Sequence, residues 1–102
     1  MLIMDYDFSQ TEINIEQGTL VVTPSLFEFD DFTVVAKALL LRLDATLIDQ
    51  QPSADLHQWL IDFEGCQLLL KAEHYTASVW LELLVLSEIE SLIFIQQLLS
   101  RY

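Results

Sequence analysis

The chain has 102 residues, enough for one domain with a modest hydrophobic core but too few for two. Hydrophobic residues make up 53% of it, and sixteen acidic residues against four Lys and Arg give a net charge of −12. This charge argues against direct binding to nucleic-acid phosphates or to an anionic membrane surface, since both require positive charge.

The cysteine content and the apolar runs indicate the compartment. Cys66 is the only cysteine, so a disulfide within the chain is excluded and a reducing cytoplasm is the expected setting. The N-terminus lacks the basic residues of a secretory signal, and apolar runs such as residues 83–86 are far too short to span a bilayer. We therefore expect a cytoplasmic protein that does not enter the membrane.

The first quarter of the chain predicts an N-terminal segment and a hairpin. Residues 1–8 alternate, with Leu2, Met4, Tyr6 and Phe8 on one side and Ile3, Asp5 and Asp7 on the other, so residues 1–10 fit either an edge strand or an N-terminal arm. Residues 11–23 indicate two strands around a Gln17-Gly18 loop, and Pro24 ends the ladder because proline cannot donate a backbone hydrogen bond. One face of this hairpin carries Ile13, Ile15, Leu20 and Val22.

A helix is predicted from about Phe32 to Leu47, with Asp30 or Asp31 as its N-cap. Apolar residues at helical spacing form its buried stripe, and residues 50–53 follow as a linker. The stripe consists of Phe32, Val35, Leu39, Leu43 and Leu47, widened by Val34, Ala38 and Leu41.

Residues 56–73 predict a central hairpin around the two-residue loop Glu64-Gly65. This register pairs Phe63 with Cys66, Ile61 with Leu68 and Trp59 with Leu70, which places the apolar residues on one face. A loop longer by one residue would scramble both faces. The opposite face then carries Gln58, Leu60, Asp62, Gln67, Leu69 and Lys71.

The stretch Ser78–Leu83 suits either a strand or the start of a long helix. We favour the strand, because Ser87 and Glu90 form a capping box that indicates a new helix from about Glu88 to Ser100. The resulting prediction is a single two-layer α+β domain over residues 1–102, in the order ββαβββα. Its antiparallel sheet has four to five strands, with both helices packed on one face.

Three potential chemical sites each have a simpler structural interpretation. His57 and His74 are diagonal neighbours in this register, but two histidines are too few for a structural zinc site and a position at the sheet rim is the simpler interpretation. Cys66 lies on an apolar face beside an acid, which favours a small core residue over a nucleophile. Asp62 and Glu64 share a strand face as an acid/base pair would, yet a solvated face is the expected role in so acidic a chain.

No enzymatic, cofactor or metal site is therefore predicted. The two glycines, Gly18 and Gly65, are both used by turns, so no phosphate-binding loop is available. Trp59 is predicted to lie in the core. Trp80 points outward beside Glu82, where either a partner subunit or the N-terminal arm would cover it.

A family resemblance follows from two short runs. Residues 59–65, WLIDFEG, and residues 78–82, SVWLE, resemble a family of short acidic bacterial proteins described only as a domain of unknown function. The likeness extends over roughly residues 11–100. It implies a small bacterial cytoplasmic α+β domain and supplies no catalytic residues.

The leading hypothesis is a non-enzymatic interaction or regulatory module that forms a homodimer and favours a basic protein partner. The predicted interface on the outer sheet face consists of Val21, Leu60, Leu69 and Trp80, which would otherwise be an exposed apolar patch. One alternative is an acidic immunity-type or nucleic-acid-mimicking inhibitor. Another is a small ligand- or metal-binding domain that uses His57 and His74.

Overall fold

The computed structural model of the chain describes residues 7–24, 32–51, 56–73 and 78–100. Its strands form one antiparallel sheet of order β1-β2-β6-β5-β4-β3, so the α+β class with two helices is confirmed. The sheet has six strands rather than four to five, and the element order is ββαββββα. The elements are β1 Thr11–Asn14, β2 Thr19–Val22, α1 Phe32–Leu43, β3 Thr46–Gln50, β4 Leu56–Phe63, β5 Cys66–Glu73, β6 Ser78–Leu83 and α2 Ile89–Leu99.

The strand missing from the prediction is β3, which occupies the expected end of the first helix and its linker. The helix α1 ends at Leu43 because Asp44 adopts a left-handed φ of 56°. The Asp44 N–H donates to the Leu41 carbonyl at 3.2 Å and the Ala45 N–H donates to the Leu40 carbonyl at 2.9 Å. These two bonds form a Schellman C-cap, which usually contains glycine at the left-handed position. Because an aspartate occupies this position, the sequence lacks the glycine that usually indicates a helix end.

The helix α1 buries a different stripe from the one predicted, because Ala36 and Leu40 widen it instead of Val34 and Leu41. Phe32, Val35 and Leu39 are buried in the core. Leu41 is 84% exposed and Val34 is 45% exposed, so the expectation that they widen the buried stripe is wrong. Their positions lie on the solvent side of a helix that contacts the sheet along one face. The predicted caps, Asp30 and Asp31, lie outside the described residues.

The β4–β5 hairpin has the predicted register. Trp59 pairs with Leu70, and Phe63 pairs with Cys66 across a two-residue turn. Both turn residues have positive φ, 52° at Glu64 and 88° at Gly65, as a type I′ turn requires. The predicted core face of this hairpin is therefore confirmed, including the burial of Trp59.

The β1–β2 hairpin has a longer loop than predicted. Asn14 pairs with Thr19, which leaves four residues in the loop instead of two. The side-chain oxygen of Asn14 accepts a hydrogen bond from the Gln17 N–H at 3.0 Å, and the backbone carbonyl of Asn14 accepts one from the Gly18 N–H at 2.9 Å. This change of two residues preserves the alternation of faces but moves Ile15 into the loop, where it is 59% exposed.

The segment Ser78–Leu83 is a strand, which confirms the prediction that we favoured over the start of a long helix. A single 3-10 turn at Leu86–Glu88 precedes α2, whose first residue, Ile89, is one position beyond the predicted start. The prediction that Ser87 and Glu90 form a capping box is wrong. Ser87 lies within the 3-10 turn, and the residue before the helix, Glu88, makes no side-chain capping bond. The extra turn lets the chain cross from the end of β6, an inner strand, to the helix layer.

Both helices pack on the same face of the sheet and share one core with it. Alternate residues of β2, β4, β5 and β6 point into this core, and Phe8 from the N-terminal segment joins them at 2% exposure. Residues 7–10 are not a strand, so the described part of the N-terminus is an arm; residues 1–6 lie outside the described residues. None of the helices in the four described ranges is long and apolar enough to cross a membrane.

We expect Trp59→Ala to lower the free energy of unfolding by about 3–5 kcal/mol, the usual cost of truncating a buried aromatic side chain. Trp59 is 3% exposed and its ring packs edge-on against Phe32 with 5.4 Å between centroids. Urea unfolding measures the effect, with Val34→Ala on the exposed side of α1 as the control. Equal urea midpoints for the two variants would contradict the assignment of Trp59 to the core.

The two turn glycines provide a second, matched prediction. Both have positive φ, so alanine is strained at either position by about 1–2 kcal/mol. A Cβ at Gly18 would also lie 2.7 Å from Leu86 Cδ2, whereas a Cβ at Gly65 would meet nothing within 4 Å. We expect Gly18→Ala to destabilise the fold more than Gly65→Ala in thermal unfolding. The reverse order would show that Leu86 does not pack on the β1–β2 turn.

Candidate functional site

The candidate site is the sheet face that points away from the helices, here called the outer face. The structure places Val21, Leu60, Leu69 and Trp80 on it, since each alternates with buried neighbours along its strand. Val21 is 37% exposed and the other three are half-buried. Trp80 therefore points outward, as the strand pattern predicted, and the part of the N-terminal arm proposed to cover it lies outside the described residues.

The four residues fall into two apolar pairs rather than one patch. The pairs are Leu60 with Leu69 across β4 and β5, and Val21 with Trp80 across β2 and β6. Lys71 lies opposite Trp80 and Glu82 lies opposite Leu69, so these two charged residues form one diagonal between the pairs. Trp80 and Leu69 form the other diagonal, at a separation of about 7–8 Å that an indole can span.

The Glu82 carboxylate contacts two side chains at the centre of the outer face. Its Oε1 accepts a hydrogen bond from Trp80 Nε1 at 3.2 Å and lies 3.1 Å from Lys71 Nζ. Burial alone would raise the pKa of Glu82, but the hydrogen bonds from Trp80 and Lys71 and the charge of Lys71 hold it below its ordinary value. The indole and the ammonium group are thus oriented by one ionised carboxylate.

A pocket of about 320 Å³ opens beside the Leu60–Leu69 pair. Its apolar wall includes Leu84, which is 50% exposed and follows directly after β6. The polar wall comes from the edge of the sheet and consists of Asp49, Gln51 and Gln58. Sequence reasoning missed Leu84, although continuing the alternation of β6 one residue beyond its end would have placed it on the outer face.

The two carboxylates considered as an acid/base pair do not share a strand face. Asp62 lies on the outer face between Gln67 and Thr46, whereas Glu64 occupies the hairpin turn. The Asp62 Oδ1 is shielded from solvent and accepts no hydrogen bond from the described residues. The prediction that both acids lie on one strand face is therefore wrong at Glu64, because the turn begins there.

Of the two histidines, the structure describes only His57. It pairs with Ala72 as predicted, and its ring stacks on Phe32 with 4.7 Å between centroids and 7° between planes. Burial lowers the pKa of His57, so the neutral ring that stacks on the phenyl group is favoured. His74 lies outside the described residues, and the structure therefore does not show the proposed His57–His74 pair.

Cys66 is buried in the core, with 4% of its surface exposed. Burial raises the pKa of its thiol, and a hydrogen bond from Sγ to Glu88 Oε1 at 3.4 Å adds to this effect. A thiol that donates to a carboxylate is held protonated, which is the reverse of what a nucleophile needs. Within residues 7–24, 32–51, 56–73 and 78–100, no group of three or more His, Cys, Asp and Glu side chains could hold a metal ion.

The fold and this face define a small α+β domain whose sheet is covered by helices on one side. The model of the family described as "Protein of unknown function (DUF3630)" matches residues 8–100, and the chain belongs to this family. The predicted resemblance to a domain family of unknown function is thereby confirmed. A comparison with curated proteins finds no match, and a comparison with solved structures finds none either.

The ionised Glu82 gives a prediction about pH. Because its pKa in the folded state lies below the ordinary value of 4.5, its ionised form stabilises the fold above that pH. This stabilisation is lost as the pH falls through the folded-state pKa. We expect the difference in unfolding free energy between wild type and Glu82→Gln to be largest near neutral pH and to shrink in acid, as measured by urea unfolding.

Lys71→Met supplies the control for this titration. If the ammonium group contributes to the lowered pKa, Glu82→Gln should cost less in the Lys71→Met background than in the wild type. A difference that stays constant from about pH 7 to about pH 3 would show that Glu82 has no lowered pKa.

Proposed function

We propose that the protein is a non-enzymatic interaction module of the cytoplasm that forms a homodimer through its outer face and binds a basic protein. The observation that carries self-association is the exposed apolar side of the sheet. The two helices of the described residues cover one face, and Leu60, Leu69 and Leu84 form the apolar wall of a pocket on the other. Burying such side chains against a second copy stabilises the assembly by about 25 cal/mol per Å².

The position of the charges supports contact between two outer faces. Lys71 lies at the centre of the face, where it neutralises Glu82, while Glu12 and Asp49 lie on the outer strands of the sheet. Charges at a solvated rim repel weakly at physiological salt, where the Debye length is about 8 Å. Two sheets can therefore pack face to face around Lys71 and Glu82 without burying an uncompensated charge there, provided that Asp62, near the turn end of the same face, stays at the solvated rim.

The size of the face suggests a weak dimer. Six strands spaced about 4.8 Å apart are about 24 Å wide, and the central strands are about 20–26 Å long. Two such faces would bury about 1,000–1,200 Å² in total, at the low end for specific interfaces. We therefore expect a dissociation constant in the range of about 1–100 μM.

The basic partner follows from the net charge of −12, which favours encounter with positively charged proteins. The two alternative functions receive less support from the geometry. An inhibitor that mimics nucleic acid requires a broad acidic face, but the outer face mixes leucines and a tryptophan with its charges. A ligand-binding domain would use the pocket beside Leu60, whose polar wall holds a single carboxylate, that of Asp49.

Self-association is tested by sedimentation equilibrium at about 10–100 μM protein and physiological salt, where we expect the average mass to rise with concentration from that of a monomer towards that of a dimer. Leu69→Lys should shift the chain to monomer, because it places an additional charge at the centre of the buried face. Trp80→Ala should weaken the dimer by removing an aromatic contact without changing the net charge.

Leu41→Lys is the matched control, since it makes the same substitution at an 84% exposed site on α1. We expect it to remain dimeric. A monomer mass for the wild type at about 100 μM would rule out the proposed dimer. Equal dissociation by Leu41→Lys and Leu69→Lys would show that the outer face is not the interface.

A further inference from the structure

A second surface lies at the end of the molecule where the hairpin turns meet. The β1–β2 turn and the β4–β5 turn are at the same end of the sheet, and β6 also finishes there. The Leu83 N–H donates to the Gly18 carbonyl at 2.9 Å, which joins the end of β6 to the β1–β2 turn. Leu86 packs directly on Gly18, so the loop after β6 is held against this turn.

Three apolar side chains at this end are largely exposed. Ile15 is 59% exposed in the β1–β2 turn, and Val85 and Leu86 are 53% and 55% exposed in the loop after β6. Turns and loops usually carry polar residues, and exposed loop residues on a rigid scaffold are common binding positions. We call Ile15, Val85 and Leu86 the turn-end patch. Leu84 lies between this patch and the pocket of the outer face.

The three segments that form this end of the sheet beside the turn-end patch are acidic. Residues 14–18, 62–67 and 84–91 contain five acids, and they include no Lys, Arg or His. Glu16, Glu64 and Glu90 are exposed. The charged residues of these three segments therefore all have the same sign. The corner between α1 and β3 reaches the same end of the sheet, where Thr46 pairs with Asp62, and it adds Arg42 and Asp44.

This charge decides which occupant fits the turn-end patch. A second copy of the chain would bring the same acids against it, and an anionic membrane would be repelled for the same reason. We propose that the turn-end patch docks an amphipathic segment of another protein, with apolar side chains flanked by Lys or Arg. The inference rests on the basic partner in the proposed function, and it uses a different surface from the dimer.

A synthetic peptide tests the docking chemistry directly. The probe is a fluorescently labelled helix-forming peptide of Leu and Lys, about 14 residues long, with leucines at i, i+3, i+4 and i+7. Two control peptides have the same length: one contains the same residues in scrambled order, and the other has serine in place of each leucine. Fluorescence anisotropy should show saturable binding of the amphipathic probe, at least about tenfold tighter than either control.

Variants of the protein locate the binding site. Val85→Ser and Ile15→Ser should each weaken binding of the probe by about tenfold, because each removes an apolar contact. Glu16→Gln and Glu90→Gln should each weaken it by about two- to fivefold at low salt. The matched controls are Val34→Ser on α1 and Glu12→Gln on β1, which should leave the affinity unchanged. Unfolding by urea verifies that every variant is folded.

Trp80→Ala separates this inference from the dimer, since it should weaken self-association and leave peptide affinity unchanged. Three results would overturn the docking proposal. They are equal binding of the probe and the scrambled peptide, absence of saturable binding up to about 1 mM, and equal losses in Val85→Ser and Val34→Ser. Each of these leaves the sedimentation result, and with it the dimer, unaffected.

Discussion

The register of the β4–β5 hairpin determines which side chains of the sheet meet the helices. Side chains alternate along a strand, so a slip of one residue would move Trp59 and its apolar neighbours from the core to the outer face. The type I′ turn at Glu64-Gly65 prevents this slip because it admits only two residues between the strands. Cross-strand pairing extends the same alternation of faces to the neighbouring strands. One continuous core-facing row crosses the sheet through Ile13, Leu20, Leu81, Leu70 and Trp59.

The outer face is the complement of this row, and its character follows from the same alternation. Lys71, Trp80 and Glu82 meet there because their strands are neighbours, although Lys71 and Glu82 are eleven positions apart in the chain. Lys71 and Glu82 lie between the two apolar pairs of the face. Although the chain has a net charge of −12, the charge of Glu82 on this face is neutralised by Lys71. The acids at the turn end have no Lys or Arg within their own segments, residues 14–18, 62–67 and 84–91.

The sequence predicted those elements whose signals are local. The β4–β5 register followed from apolar alternation and a glycine at the turn, and the outward position of Trp80 followed from the alternation of β6. The strand β3 was missed because Leu47 continues the helical spacing of Leu39 and Leu43, and because an aspartate replaces the usual glycine at the helix end. The Lys71–Glu82–Trp80 cluster depends on the order of the strands, which no local pattern encodes. The turn-end patch likewise depends on the three-dimensional arrangement that brings the turns to one end of the sheet.

The two edges of the sheet limit how copies of this protein can assemble. An open sheet can in principle grow by adding strands of further molecules to either edge, which leads to fibres. Here β1 offers only four residues, and a bulge at Ile48 interrupts the hydrogen-bonding ladder of β3. A bulge bends and twists its strand, so a third molecule finds no straight template on which to extend. Growth by addition of strands to these edges is consequently disfavoured, even though more than half of the residues of the chain are hydrophobic.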